Sequence, residues 1–430
     1  MTEILEKTAP PMTMAARLLD WYDENRRILP WREDPSPYHV WLSEIMLQQT
    51  RVDTVIGYYN RFIEAMPDIR ALAEADEDRV LKLWQGLGYY SRARNLRKAA
   101  RAVVDDYGGD MPDTAEQLQR LPGIGPYVAA AVASIAFGRK EPAVDGNLLR
   151  IFARVTLWDQ SIRTAPAKRA AADYYRNLLP ASRPGDMNQA LMDLGAGICL
   201  PNGTPLCGQC PWSPYCLAHA EHREQALPVR DAKKSRRVER RTILRIRVGK
   251  RYVIRQRPAN ALLANLYEFP NESGWLSETE AAEAVRQMGF RIVSTPAPLP
   301  ASKHIFSHLE WHMRGYEMEA VPVSSAPAES LSALDPLSFK GASDMAADLD
   351  RPATSEIWES AGSGPTSSSL DPPRDNDYLL ATPEEIESEY AMPTAFAAYR
   401  VDSASASGIR PAEKSAETVK KGKRADGRWH

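Results

Sequence analysis

The sequence predicts a multidomain chain, an all-α domain followed by an α/β domain. Three observations carry this. Apolar residues recur every three to four positions through the first 220 residues, with Gly and Pro between segments and no alternating β-branched run. From about residue 241 the pattern turns to alternation, TILRIRV and then RYVIRQR. The length of 430 residues exceeds what one ordinary core organises. At 43% hydrophobic and 26% charged the composition is globular. With 54 Lys and Arg against 56 Asp and Glu, a uniformly basic DNA-coating protein is excluded. The opening segment has no apolar signal core, and YVAAAVASIAF (127–137) is too short to span a bilayer. A soluble intracellular protein without membrane contacts is expected.

Taken in order, the helical periodicity covers 14–28, 40–65, 76–84, 91–107, 114–120, 126–137, 143–157 and 167–178. A basic stretch at 229–257 holds thirteen Lys and Arg against two Asp and Glu, and reads as a positive strap along a DNA backbone. The alternating runs predict a hairpin across Gly249-Lys250, followed by a helix at 277–288 and strands near 290–294 and 309–320. Residues 323–374, rich in Ser, Ala, Pro and Asp, read as a disordered or loosely packed insertion. Order resumes at 377–399, and the low-complexity tail ends in the basic run KKGKR.

Four motifs carry chemistry. The only cysteines, Cys199, Cys207, Cys210 and Cys216, form a C-x7-C-x2-C-x5-C run. Four thiols so close together suit one metal centre, and the spacing alone does not choose between zinc and an iron–sulfur cluster. The segment 114–137 reads as helix, tight LPGIG turn and second helix. Gly123 and Gly125 let this backbone come close to a ligand, and the amides of the second helix then grip a phosphate. Glu44 sits in the apolar run WLSEIML, where burial would raise its pKa; a surface Glu on an amphipathic helix fits that run equally well. Asp145 in AVDGNLLR reads, taken alone, as a helix N-cap. Across one pocket, a protonated Glu and an ionised Asp form the pattern of glycosyl-bond chemistry.

Residues 20–220 closely resemble the endonuclease III-like superfamily of base-excision DNA glycosylases, and within it the MutY-type adenine DNA glycosylases. The strings are LPWR (29–32), WLSEIMLQQTRVDTVI (41–56), LWQGLGYYSRARNL (83–96), LPGIGPYVAAAVASIAF (121–137), VDGNLLRIFAR (144–154) and NQALMDLGAGIC (188–199). The resemblance implies a two-lobed helix-hairpin-helix domain with DNA between the lobes, and a 4Fe–4S cluster on the four cysteines. Seven residues (LPNGTPL, 200–206) separate Cys199 from Cys207 where the family usually has six.

The bifunctional relatives carry a Lys nucleophile where this chain has Tyr127, which cannot form a Schiff base, so a monofunctional enzyme is implied. VIRQRPANALLANLYEFP (253–270) and HIFSHLEWHMRGY (304–316) resemble the Nudix-like C-terminal domain that reads 8-oxoguanine in that family. Phe306, Ser307 and His308 align with its damaged-base loop; without the resemblance they read as a strand end. The Nudix hydrolase run is broken at 274–290, so no pyrophosphatase activity is expected.

By resemblance, Glu44 protonates adenine at N7 and later activates water. Asp145 stabilises the oxocarbenium-like sugar or forms a transient adduct with it, and Tyr127 and Asn147 orient these groups. Trp31, Arg32 and Gln189 line the adenine pocket, and Gln48 and Tyr89 enter the DNA helix, one of Tyr89 and Tyr90 being core. The implied substrate is duplex DNA with adenine opposite 8-oxoguanine or guanine. The expected boundaries are 1–226 for the glycosylase domain with its cluster loop at 199–216, 227–241 for a basic linker that repair partners contact, 242–400 for the recognition domain, and 401–430 for the tail. A monomer in the bacterial cytoplasm, at the nucleoid, is expected. Two alternatives are an endonuclease III-like glycosylase with lyase activity on oxidised pyrimidines, and a non-catalytic lesion binder. Tyr127 and the FSH loop oppose the first; the presence of both Glu44 and Asp145 opposes the second.

Overall fold

The computed structural model describes residues 11–229, 235–323 and 378–401. The insertion beyond Val323 and the tail from residue 402 lie outside the described residues, as do Arg230, Lys233 and Lys234. The helical half contains α1 (Pro11–Asn25), α2 (Pro30–Glu33), α3 (Pro37–Leu47), α4 (Val52–Ala65), α5 (Ile69–Glu74), α6 (Glu77–Leu83), α7 (Ser91–Tyr107), α8 (Ala115–Leu118), α9 (Pro126–Ile135), α10 (Gly146–Val155), α11 (Ala165–Leu178), α12 (Pro184–Gly197) and α13 (Leu217–Ala220). Side chains of Ser36, Asp68, Thr114, Asp145 and Thr164 cap α3, α5, α8, α10 and α11.

Two apolar cores divide these helices into lobes. One runs continuously from Leu29 to Ala133 through α2–α9. The other joins α1 to α10–α12 and reaches Trp212 in the cysteine loop. The chain thus leaves the second lobe after α1, builds the first, and returns, which opens a cleft between them.

The periodic stretch 40–65 is two helices, not one. It breaks after Leu47, where Gln49 takes φ 58°. The sequence also concealed α5 and α12. In α12 even Asn188 and Asp193 are buried, so the helix shows no simple apolar stripe.

The C-terminal half is a mixed sheet of β1 (Arg237–Val248), β2 (Arg251–Gln256), β3 (Tyr267–Glu268), β4 (Asn271–Ser273), β5 (Phe290–Ile292), β6 (Ala297–Ile305), β7 (Leu309–Pro322) and β8 (Tyr378–Ala381). The long β1 runs parallel to β7, from Arg237 opposite Leu309 to Arg247 opposite Glu319, and turns back antiparallel into β2 at Gly249. Both faces of the sheet are buried. Ile243, Ile254, Trp311 and Phe396 pack on one, and Leu244, Ile246, Val253 and Met318 on the other with Val285 of α14 (Glu278–Gln287). Ser277 and Glu280 close a capping box at the start of α14. The final stretch adds α15 (Pro383–Ser388) and a 3-10 turn at 394–399. Strand β6 was not expected, because its prolines read as loop. It is hydrogen-bonded to β7 with a register irregularity between Leu299 and Ser302, where Pro300 sits.

The basic stretch is a second correction. Arg245 pairs with Glu317 (2.8 Å), Arg247 with Glu319 (3.1 Å), Arg255 with Glu268 (2.9 Å), and Arg257 with the same Glu268. Arg237 and Arg241 pair with Glu239. Strand pairing brings up carboxylates that are distant in sequence, so this part of the surplus charge is not free for DNA. The sheet half docks on the first helical lobe. The Lys82 amine donates to the Tyr390 carbonyl (3.0 Å), Arg94 to the Ala264 carbonyl (2.7 Å), and the Asn265 amide to Glu77 (2.6 Å). Leu266 and Ala391 complete the core of that lobe.

Candidate active site

Between the two lobes lies a cavity of about 190 Å³ lined by Glu44, Tyr127, Asp145 and Asn147, together with Trp31, Arg32 and Gln189. Glu44 comes from α3 and Tyr127 from the first turn of α9, both in the first lobe. Asp145 and Asn147 come from the start of α10, in the second.

Glu44 is buried, at 5% exposure. Loss of water pushes its pKa up to about 7; the Tyr127 hydroxyl pulls it down and Asp145 pushes it further up. That hydroxyl donates to Glu44 Oε2 at 2.5 Å. Glu44 therefore exchanges a proton near neutral pH, as a general acid–base group requires.

Asp145 combines two roles that its sequence context offered as alternatives. It caps α10, its Oδ1 accepting from the Asn147 and Leu148 amides, both at 2.8 Å. Its Oδ2 accepts from the Asn147 side chain at 2.8 Å, and the carboxyl faces the same cavity as Glu44. Burial raises its pKa above the ordinary carboxylate value, while the two amides, Arg150 and Asn147 oppose the rise.

The residues behind this site were not evident from the sequence. Asn188 accepts from the Ala143 amide (3.0 Å) and donates to Ser134 Oγ and the Glu141 carbonyl, both at 2.8 Å, which fixes the extended segment leading into Asp145. At Gly195 an added Cβ would lie 2.6 Å from the Asn147 Cβ, so only glycine lets α12 come this close. Arg150 joins Asn147 Oδ1 to the Gly195 and Cys199 carbonyls, each at 2.8 Å.

Arg32 stands in the cavity wall with its guanidinium already engaged. It donates to buried Asp193 at 2.8 and 3.1 Å, and Arg27 donates to the same carboxylate. Trp31 is buried with its ring edge-on to Tyr59 at 5.3 Å. Both shape the wall.

Gln48 and Tyr89 do not line this cavity. Tyr89 is 43% exposed at φ 48°, whereas Tyr90 is core and its hydroxyl accepts from the Gly86 amide at 3.3 Å. Gln48 is half-buried beside a second cavity with Arg92, Asn95 and Gly123, while its neighbour Gln49 is exposed. A Gln-Gln doublet carries no signal for which member points outward.

In the hairpin, Gly123 takes φ 78°, and an added Cβ would lie 2.6 Å from that of Asn95. Around Gly125 there is open space, and α9 begins there without a side-chain cap. The approach to its first turn is open to an anion.

Phe306, Ser307 and His308 form the tight turn between β6 and β7, closed by the Phe306 amide on the Leu309 carbonyl at 2.9 Å. Ser307 and His308 are exposed. The Phe306 ring is anchored edge-on against His304 (4.6 Å) and Trp311 (4.9 Å).

The four cysteines line one small enclosure of about 30 Å³ with Ile151, Arg154 and Trp212. The seven residues after Cys199 bulge into solvent at Pro201–Thr204 and return through the Leu206 amide to the Ile198 carbonyl at 3.0 Å. The extra residue is thus taken up outside the thiol cage. Burial pushes Cys210 up to about 12 and Cys216 to about 11, and a bound cation is what would favour their thiolates. Arg154 donates to Cys199 Sγ at 3.1 Å. This donor set fits a cysteine-ligated metal centre.

Residues 42–177 match the family described as HhH-GPD superfamily base excision DNA repair protein, and residues 242–346 match the NUDIX domain. The chain is 37% identical over 378 residues to the adenine DNA glycosylase of Mus musculus, covering 73% of this chain and 72% of that protein. It is 35% identical over 375 residues to that of Homo sapiens, covering 72% and 68%. It is 32% identical over 297 residues to that of Buchnera aphidicola subsp. Acyrthosiphon pisum, covering 69% and 83%.

Proposed function

Since this chain belongs to the adenine DNA glycosylase family, we propose that its interlobe cavity releases adenine from duplex DNA opposite 8-oxoguanine or guanine, with Glu44 and Asp145 as the catalytic pair. Adenine is first flipped out of the stack, because C1′ and N7 are not accessible together inside a duplex. Protonated Glu44 gives its proton to N7, and the C1′–N9 bond breaks with its electron pair leaving on a neutral base. Asp145 stabilises the positive charge at C1′. Ionised Glu44 then takes a proton from water as its oxygen bonds to C1′, which regenerates the acid. Tyr127 and Asn147 hold the two carboxyls, and Trp31, Arg32 and Gln189 shape the wall around the base.

The observation that carries this reading is the buried Glu44, poised near pH 7 under a 2.5 Å hydrogen bond from Tyr127, in one cavity with Asp145. With tyrosine where a Schiff-base lysine would act, the reaction stops at an abasic site. Around it, Gly123 and Gly125 hold a phosphate, Gln48 and Tyr89 enter the helix, and Phe306, Ser307 and His308 read the opposite base. The four cysteines hold a 4Fe–4S cluster, supported by their shared enclosure, which ties the loop 199–216 to the second lobe. The expected linker at 227–241 is shorter than the sequence suggested, since residues from Arg237 on belong to β1. A glycosylase domain at 1–226, a recognition domain beginning at β1 and running to 400 and a tail at 401–430 belong to the same proposal, as do a monomeric state, repair-protein contacts at the linker and the bacterial nucleoid as location. Among the described residues no helix is long and apolar enough to cross a membrane.

Glu44→Gln tests the reading. Base release should disappear while duplex affinity is largely kept, measured by single-turnover cleavage and by titration of labelled DNA. Joint loss of binding and activity would make Glu44 structural.

A further inference from the structure

Arg92 is nine-tenths buried near the start of α7, and the groups its guanidinium meets are backbone carbonyls. One terminal nitrogen donates to the carbonyls of Ile45 (2.6 Å), Met46 (3.0 Å) and Gln48 (2.8 Å). The other donates to those of Leu87 (3.2 Å) and Gly88 (3.1 Å). The first set is the C-terminal end of α3, one residue beyond Glu44, where orphan carbonyls and the helix dipole favour a cation. The second belongs to the loop that carries Tyr89. The same guanidinium lies 5.7 Å from the Tyr89 ring and 5.2 Å from that of Trp84.

Two non-glycine residues with positive φ flank this arginine, Gln49 at 58° and Tyr89 at 48°. Such conformations cost free energy and persist where the surroundings fix them. Both are also exposed. A single planar cation therefore clamps two strained turns together and locks them to the helix that bears Glu44.

We propose that Arg92 is a positioning residue for base extrusion: it makes Tyr89 and the turn after α3 one rigid wedge in fixed register with Glu44, and it acts before the glycosidic bond is broken. This rests on the function proposed above.

The test uses the full-length chain with Arg92→Met and Arg92→Lys. Lysine keeps the charge but cannot span both sets of carbonyls. Single-turnover base release is measured for adenine opposite 8-oxoguanine, and for adenine opposite a stable abasic analogue. In the second duplex the adenine has no partner and extrusion costs less. Arg92→Met should slow release from the paired duplex by about 30-fold or more, and from the unpaired one by less than about 3-fold, since the extrusion it supports is the costlier step only in the paired duplex. Arg92→Lys should fall between wild type and Arg92→Met. Single-turnover rates do not depend on the fraction of protein that is active, so partial unfolding does not create this split, and Arg92→Lys carries the test if the methionine variant does not fold. Equal slowing on both duplexes, or none on either, would overturn the inference. Failure of the wild-type chain to release adenine opposite 8-oxoguanine would instead overturn the proposed function.

Discussion

Glu44 is held in its neutral form by burial, and this has consequences for both rate and stability. Its folded pKa of about 7 lies above the ordinary 4.5, so the native state favours the proton. The protonated acid is lost as pH rises through 7, and the single-turnover rate should fall about tenfold per pH unit beyond that. Ionising the buried carboxyl also destabilises the fold. The penalty is absent below pH 4.5, grows as pH rises, and is complete above 7, where it reaches about 3 kcal/mol. Glu44→Gln should therefore melt higher than wild type at pH 8 and match it at pH 4.5, as scanning calorimetry would show. The Tyr127 hydroxyl lowers the Glu44 pKa. Tyr127→Phe should shift the alkaline limb of the rate profile upward; an unshifted limb would mean that this hydrogen bond does not form in the DNA complex. The sequence showed that Glu44 and Asp145 were chemically apt, but it did not show that they share a cavity. That depends on the chain leaving and re-entering the second lobe.

At the scale of elements, the hairpin and the cysteine loop make separable predictions. Gly123→Ala combines a positive φ with a clash against Asn95. It should cost about 1–3 kcal/mol of stability by chemical denaturation. Gly125→Ala meets open space at an ordinary φ and should leave stability nearly unchanged, while weakening DNA binding if the turn grips a phosphate. The purified chain should be brown, with a broad absorbance in the visible blue that Cys210→Ser removes; a colourless protein with stoichiometric zinc would contradict the cluster. Elements with a single buried face, such as α4 and α7, were legible from periodicity. The break at Gln49, the buried helix α12 and the proline-bearing edge strand β6 were not, because each is set by a tertiary partner: Arg92, the surrounding core and β7.

For the whole molecule, the order of the fold was legible, since the change from helical to alternating pattern marks where the sheet begins. Its charge distribution was not. Arg245, Arg247, Arg255 and Arg257 read as a cationic strap, yet they face Glu317, Glu319 and Glu268 across the sheet. The sheet half also leans on both flanks of the Tyr89 loop, through Glu77 and Lys82 before it and Arg94 after it. Under the proposed function, this docking couples the half that would read the opposite base to the lobe that carries Glu44. The most direct test is single-turnover base release from a duplex with one adenine opposite 8-oxoguanine, beside matched A·T and thymine-glycol duplexes, with products resolved with and without alkali. Alkali-dependent cleavage of the adenine strand alone is the predicted result. Cleavage at the oxidised pyrimidine without alkali would contradict it, and would mean that a lyase operates despite Tyr127.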